Sequence, residues 1–262
     1  MAKQKVQKQE TNVETSKNVV KKEKAMPPVQ SGDIASWGKA QLFQSSIVIP
    51  RVLLQQFMSP RVKEQKAKYG DFVDSLTGEK LGSMEKPFEI IPFHKTEKWI
   101  VYDLVKGGKK EFSEVIEVTS ENEGWRYERE KDGKTQSLDR AIDVYFLDPK
   151  DLDGLPKILG FRRTSLRSGK QLLTQMYIQN ASKQVPPPGV VMNISTKSVE
   201  GEEGTYAVIE VAPGRKSTQG EVSKAFEWYK KVTSGEVKAA EDTEIMQPRE
   251  TSELNVEEVT DY

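Results

Sequence analysis

Phe88-Glu-Ile-Ile-Pro-Phe-His-Lys-Thr-Glu-Lys-Trp-Ile-Val-Tyr102 is the stretch on which the fold turns. Its β-branched and aromatic residues, partly alternating with polar ones, predict a strand. Pro92 has no N–H to give to a ladder, so it marks a bulge or an edge position. Working outward toward the C-terminus, further strands are expected at Gly124–Arg129, Ile142–Leu147 and Ile158–Ser165. The period then changes. Between Ser168 and Lys183, Leu172, Leu173, Met176 and Ile178 fall at helical spacing, with Ser168 placed to cap, and the run stops before Pro186-Pro-Pro-Gly189. Val190–Val199 and Thr205–Val211 read as two strands joined by Glu200-Gly-Glu-Glu-Gly204. Gln219–Val232 reads as a closing helix with Ala225, Phe226, Tyr229 and Val232 along one face.

Working outward in the other direction, Tyr69–Gly82 reads as a strand, a turn at Leu76-Thr-Gly-Glu79 and a return. Arg51–Phe57 is an apolar strand or short helix, and Ser59-Pro60 is an N-cap followed by proline at the first helical position. Folded structure is expected to begin in Ile34–Ile49, which supplies Trp37, Leu42, Phe43, Ile47, Val48 and Ile49. The expected class is mainly β with helices (α+β). Strands, one helix, a strand pair and a terminal helix follow the order of an oligonucleotide-binding (OB-like) barrel, although a related small barrel or an α+β sandwich satisfies the same string.

The two ends of the chain differ from its middle. Residues 1–33 carry Lys3, Lys5, Lys8, Lys17, Lys21, Lys22 and Lys24 and few apolar groups, which predicts a disordered basic tail. Residues 236–262 carry nine carboxylates against Lys238 and Arg249, which predicts a disordered acidic tail. The expected domain is residues 34–235. Lys and Arg total 40 and Asp and Glu total 40, so the zero net charge conceals this asymmetry. Mean hydropathy is −0.65, and no apolar run approaches the roughly 20 residues of a membrane helix. With no cysteine, disulfides, thiolate catalysis and cysteine zinc sites are excluded, and a cytoplasmic protein without membrane attachment is expected.

The catalytic motifs fail on inspection. Gly133-Lys134-Thr135 has Glu128 where a phosphate loop needs its leading glycine, and Gly107-Gly108 before Lys109 reads as a hairpin turn. Asp148-Pro-Lys-Asp-Leu-Asp-Gly154 puts Pro149 and Gly160 where a calcium loop needs ligands, so it reads as a surface turn. His94 is the only histidine and reads as a sheet residue. Scattered carboxylates give no two-metal centre. No enzyme activity and no cofactor are expected.

What remains is basic and aromatic residues interleaved on strands, the combination in which cations follow phosphates and rings stack on unpaired bases. Lys95, Lys98 and Trp99 share one strand; Trp125, Arg126 and Tyr127 lie on another, with Arg129 beyond. Arg162, Arg163, Arg167 and Lys170 span a strand and the next helix with no acidic residue between them, beside Phe161. Single-stranded DNA is the partner this pattern fits, with RNA not separated from it; the plainer reading is a solvated sheet face with Trp99 and Phe161 in the core. Glu257, Glu258, Asp261 and Tyr262 end the acidic tail and suit a docking segment for replication or recombination proteins, or a merely solubilising end.

Ile49-Pro-Arg-Val-Leu-Leu-Gln-Gln-Phe-Met-Ser-Pro-Arg-Val-Lys63, Gly70-Asp-Phe-Val-Asp-Ser-Leu-Thr-Gly78 and Phe161-Arg-Arg-Thr-Ser-Leu-Arg-Ser-Gly-Lys170 together resemble a group of tailed-bacteriophage proteins, over about residues 47–232. That resemblance implies phage origin and hence the cytoplasm of an infected bacterium. A barrel-like body with an acidic, aromatic-ended tail also resembles, in layout alone, phage single-stranded DNA-binding replication proteins of the T7 type. This second resemblance implies stoichiometric binding of single strands; a virion structural or assembly protein, or an inhibitor of a host enzyme, are the competing expectations.

Overall fold

The computed structural model of the protein describes residues 47–105, 109–183, 188–201 and 204–240. The expected tail 1–33, Trp37, Leu42, Phe43, the Gly107-Gly108 turn and the terminal Glu257, Glu258, Asp261 and Tyr262 lie outside the described residues.

The described chain is mostly strand. In order it forms β1 (Val48–Ile49), β2 (Arg51–Leu54), α1 (Pro60–Lys63), β3 (Phe72–Asp74), β4 (Lys80–Gly82), β5 (Phe88–Leu104), β6 (Lys110–Glu117), β7 (Glu128–Lys131), β8 (Lys134–Leu147) and β9 (Lys157–Arg162). A 3₁₀ turn, Arg163–Ser165, then leads into α2 (Leu166–Lys183), β10 (Val190–Gly201), β11 (Gly204–Lys216), α3 (Gln219–Thr233) and β12 (Lys238–Ala239). The main sheet runs β11-β10-β5-β8-β9-β2-β3-β4, with β6 added beside β5 and β7 beside β8. The strands, the helix, the strand pair and the terminal helix thus fall in the expected order. The register of β5 against β8 shifts between Pro92 and His94, the bulge that Pro92 announces.

Side chains alternate across this sheet, and each face has its own core. On the inner face Ile90, Ile142, Val144, Phe146, Leu159 and Phe161 pack with Leu172 of α2. On the outer face Ile91, Phe93, Tyr145, Leu147 and Ile158 pack with Ala225 and Trp228 of α3. Burial on both faces explains why β8 reads Ala-Ile-Asp-Val-Tyr-Phe-Leu rather than as a clean alternation.

The sheet curls about its inner face into a half-barrel. Phe72 of β3 and Phe88 of β5 meet edge to face at 5.0 Å, although β8, β9 and β2 lie between their strands. Side chains complete the closure. The Gln56 carboxamide donates to the Ala207 carbonyl (2.8 Å) and accepts from the Ala207 N–H (2.9 Å), making with β11 the pair of bonds that a neighbouring strand would make. Thr196 Oγ1 donates to the carbonyl of Gly70 (2.9 Å), a residue whose φ of 81° suits glycine. Each such bond stabilises by about 1 kcal/mol, and the Gln56 pair occupies part of the β11 edge that would otherwise be open.

Two helical readings need correction. Helix α2 starts at Leu166, so Ser168 lies inside it rather than capping it, and Ile178 is exposed while Leu172, Leu173 and Met176 pack inward. Along α3 the buried apolar residues are Ala225 and Trp228, whereas Phe226 and Tyr229 face solvent and stack on each other. The start of α3 is fixed by a capping box between Thr218 and Glu221, with Arg215 forking onto the Glu221 carboxylate (2.9 and 2.6 Å). Those hydrogen bonds lower the Glu221 pKa to about 2. Beyond α3, Lys238–Ala239 pairs in parallel with Val48–Ile49 and Val237 is buried, so residues 236–240, assigned from sequence to the acidic tail, belong to the folded body. No helix among the described residues is long and apolar enough to cross a membrane.

Candidate functional site

Strands β5 and β8 are long enough to run past the half-barrel, and there they are flanked by β6 and β7 instead of by the rest of the sheet. Where this extension leaves the body, beneath the first turn of α2, lies a cleft of about 340 Å³ lined by Trp99, Glu123, Trp125, Arg126, Tyr127, Arg140, Leu166 and Lys170. Five of these, Trp99, Trp125, Arg126, Tyr127 and Lys170, are residues singled out from the sequence. The fold brings them together from a strand, a loop and a helix.

Two tilted indole rings, held by their neighbours, line the cleft. Trp99 is 3% exposed and donates its indole N–H to the Asn122 carbonyl (3.2 Å). Its ring lies 6.4 Å from that of Trp125, and the guanidinium of Arg140, its cross-strand partner, lies 5.7 Å from it. The Trp125 ring also carries the guanidinium of Arg129, 4.3 Å from its centroid. Trp125 itself lies in the loop that follows a turn, the strand beginning only at Glu128. Both tryptophans are therefore engaged by neighbours, and the open ring is Tyr127, 69% exposed.

The cations divide into two sets. Arg129 binds Gln136 and Glu114, Arg140 binds Glu97 (2.6 Å), and Lys95 binds Glu97 as well. Partial burial pushes the Glu97 carboxyl up, but hydrogen bonds and charge from Lys95 and Arg140 outweigh it and hold the pKa below its usual value. The Nε of Arg140 is buried and has no hydrogen-bond partner among the described residues. By contrast, Arg126 and Lys170, which line the cleft, and Arg167, on the same helix as Lys170, are exposed and take part in none of the ion pairs among the described residues.

The run Arg162, Arg163, Arg167 and Lys170 does not form one patch. Phe161 points to the inner face, so alternation sends Arg162 to the outer one, and Arg163 turns there too, binding Asp139 at 2.7 Å. Arg163 has φ of 46°, a left-handed kink that ends β9 and starts the turn into α2. Only Arg167 and Lys170 continue on the cleft side. Lys98 is also on the outer face, bound to Asp143 (2.7 Å), and Asp143 in turn takes both arms of Arg51 (3.1 and 2.7 Å). Gly160 makes room for that pair, since a Cβ there would lie 3.3 Å from the Asp143 carboxylate. His94 is a sheet residue, as read, set between Tyr145 and Tyr229, and burial lowers its pKa.

A family model described as Pam3 phage gp34-like protein matches residues 19–238. The chain belongs to this phage family. The match takes in the whole half-barrel, the cleft and both packed helices, and it accords with the resemblance to tailed-phage proteins carried by Ile49–Lys63, Gly70–Gly78 and Phe161–Lys170. No curated protein and no solved structure matches the chain.

Proposed function

We propose that this phage protein binds single-stranded DNA through the Trp99–Trp125 cleft, protecting the strand while its acidic tail engages replication or recombination enzymes. The observation that carries this reading is the cleft in which Arg126 and Lys170 line the same space as the exposed ring of Tyr127, with Arg167 exposed on the helix of Lys170, three cations that enter none of the ion pairs among the described residues. Cations without carboxylate partners have no competing ion pair to give up when a phosphate arrives, and an exposed ring on a rigid aromatic floor is a stacking platform for a base. Trp99 and Trp125 serve as the floor, and Tyr127 stacks.

Tryptophan fluorescence during titration with an unstructured oligonucleotide, at several salt concentrations, tests it. The expected result is quenching that favours single strands over duplex and weakens with salt. In the triple variant R126Q/R167Q/K170Q the slope of log K against log salt is expected to fall in magnitude by about 2, at roughly 0.7 per lost phosphate contact. Equal affinity and slope in the variant, or no binding at low salt, would overturn the proposal.

One observation favours a second reading, a virion structural or assembly protein. Phe226 and Tyr229 form an exposed stacked pair on α3, with Lys230 over Phe226, on the face of the sheet opposite the cleft. Such a patch suits a protein partner.

A further inference from the structure

The solvent face of α2 continues the chemistry of the cleft. From Leu166 to Lys183 the helix has neither Asp nor Glu, in a chain with 40 acidic residues. Arg167, Lys170, Thr174 and Tyr177 are all exposed and fall within about 80° of one another around the helix axis at 100° per residue. Leu166 and Lys170, which wall the cleft, lie on this stripe, and Tyr177 lies almost directly in line with Lys170, about 10 Å further along. Tyr177 is 74% exposed and Ile178 beside it 53% exposed. Stability does not account for an aromatic ring placed there, since the buried side of α2 is carried by Leu172, Leu173 and Met176.

We infer that the single strand leaves the cleft along α2, with Arg167 and Lys170 holding its backbone and Tyr177 stacking a second, separate base. This extension rests on the cleft being the single-strand site. A carboxylate-free helix face complements a polyanion along its length, and a second ring on the same line supplies sequence-tolerant stacking where the strand passes. The length of DNA bound is thus set by α2 as well as by the cleft.

The test compares wild type, Y177A and Y177F on thymidine oligonucleotides of about 4, 8 and 16 nucleotides, within the span of site sizes of comparable single-strand modules. Because Tyr177 is exposed and contributes nothing to either core, melting temperature and circular dichroism should match wild type and serve as the folding control. Y177A is expected to bind the longest oligonucleotide about 10-fold more weakly than wild type, to bind the shortest equally well, and to be restored by Y177F. If wild type binds all lengths and Y177A matches it throughout, the inference is overturned while the cleft stands. If wild type binds no single strand, the proposed function falls and this inference falls with it.

Discussion

Asp143→Ala is expected to lower the stability of the folded body by about 3–5 kcal/mol, read as a shift of the urea unfolding midpoint. Asp143 is buried and takes both arms of Arg51 together with the ammonium of Lys98, the side chains of Arg51 and Asp143 being 7% and 4% exposed. Removing the carboxylate strands a guanidinium that has been taken out of water, and that cost exceeds what the intact pair contributes. Arg51→Met with Asp143→Leu is expected to lose less than Asp143→Ala alone, because no buried arginine remains and Lys98 has a stem long enough to reach solvent.

The same pair sets a pH dependence. Burial alone would raise the Asp143 pKa; hydrogen bonds and charge from Arg51, then Lys98, more than reverse it, and the carboxyl stays below its ordinary 3.8. A carboxyl depressed in the folded state stabilises above its unfolded pKa, and that contribution disappears as pH falls through the folded one. Wild type should therefore lose stability as pH drops below about 4, and Asp143→Ala should show a shallower acid limb. An unchanged acid limb in the variant would show that Asp143 does not carry this term.

Phe72→Ala has the second largest expected effect, about 3–5 kcal/mol, with a melting temperature lower by roughly 10 °C. Phe72 is fully buried, and its edge-to-face contact with Phe88 joins strands that three others separate. Its removal leaves a cavity where the curl closes, among residues drawn from both ends of the sheet. A loss below about 1 kcal/mol would mean that the Gln56 and Thr196 bonds, and not the aromatic contact, hold the half-barrel shut.

Most of the strands were legible because their signals are local, whereas β6 (Lys110–Glu117) went unread and the strand expected over Gly124–Arg129 begins only at Glu128. Phe88–Tyr102 declares itself through composition, Pro92 through its missing donor, and the Leu76–Glu79 turn through its glycine. Curling was not legible, since Gln56 and Ala207 are 151 residues apart and neither is unusual where it stands. Along α3, apolar residues lie on two overlapping stripes, and only the sheet decides that Trp228 goes in while Phe226 and Tyr229 stay out.

The candidate site was legible in part for the same reason. Trp125, Arg126 and Tyr127 are contiguous, and Lys170 lies on the helix that packs over them. Arg162 and Arg163 looked like their companions because a sequence run takes no account of alternation, which turns Arg162 to the other face, or of the Arg163 kink, which brings Arg163 to Asp139. Arg140, Glu123 and Leu166 were missed. Arg140 is in the cleft because it pairs across from Trp99, and that register is set by the β5–β8 ladder, not by any feature near residue 140.

The short parallel pair of β1 and β12 brings the two ends of the folded body side by side, with Arg51 Nε donating to the Ala240 carbonyl at 3.1 Å. Ile47 and Ala240 are then only about 10 Å apart along that ladder. The body is in effect a ring with a removable seam. A short linker from Ala240 to Ile47 would close it, and a new opening between β5 and β6 would give a circular permutant with the same half-barrel, cleft and helices. The fold is specified by which strands become neighbours, and the point at which the chain enters the ring is interchangeable.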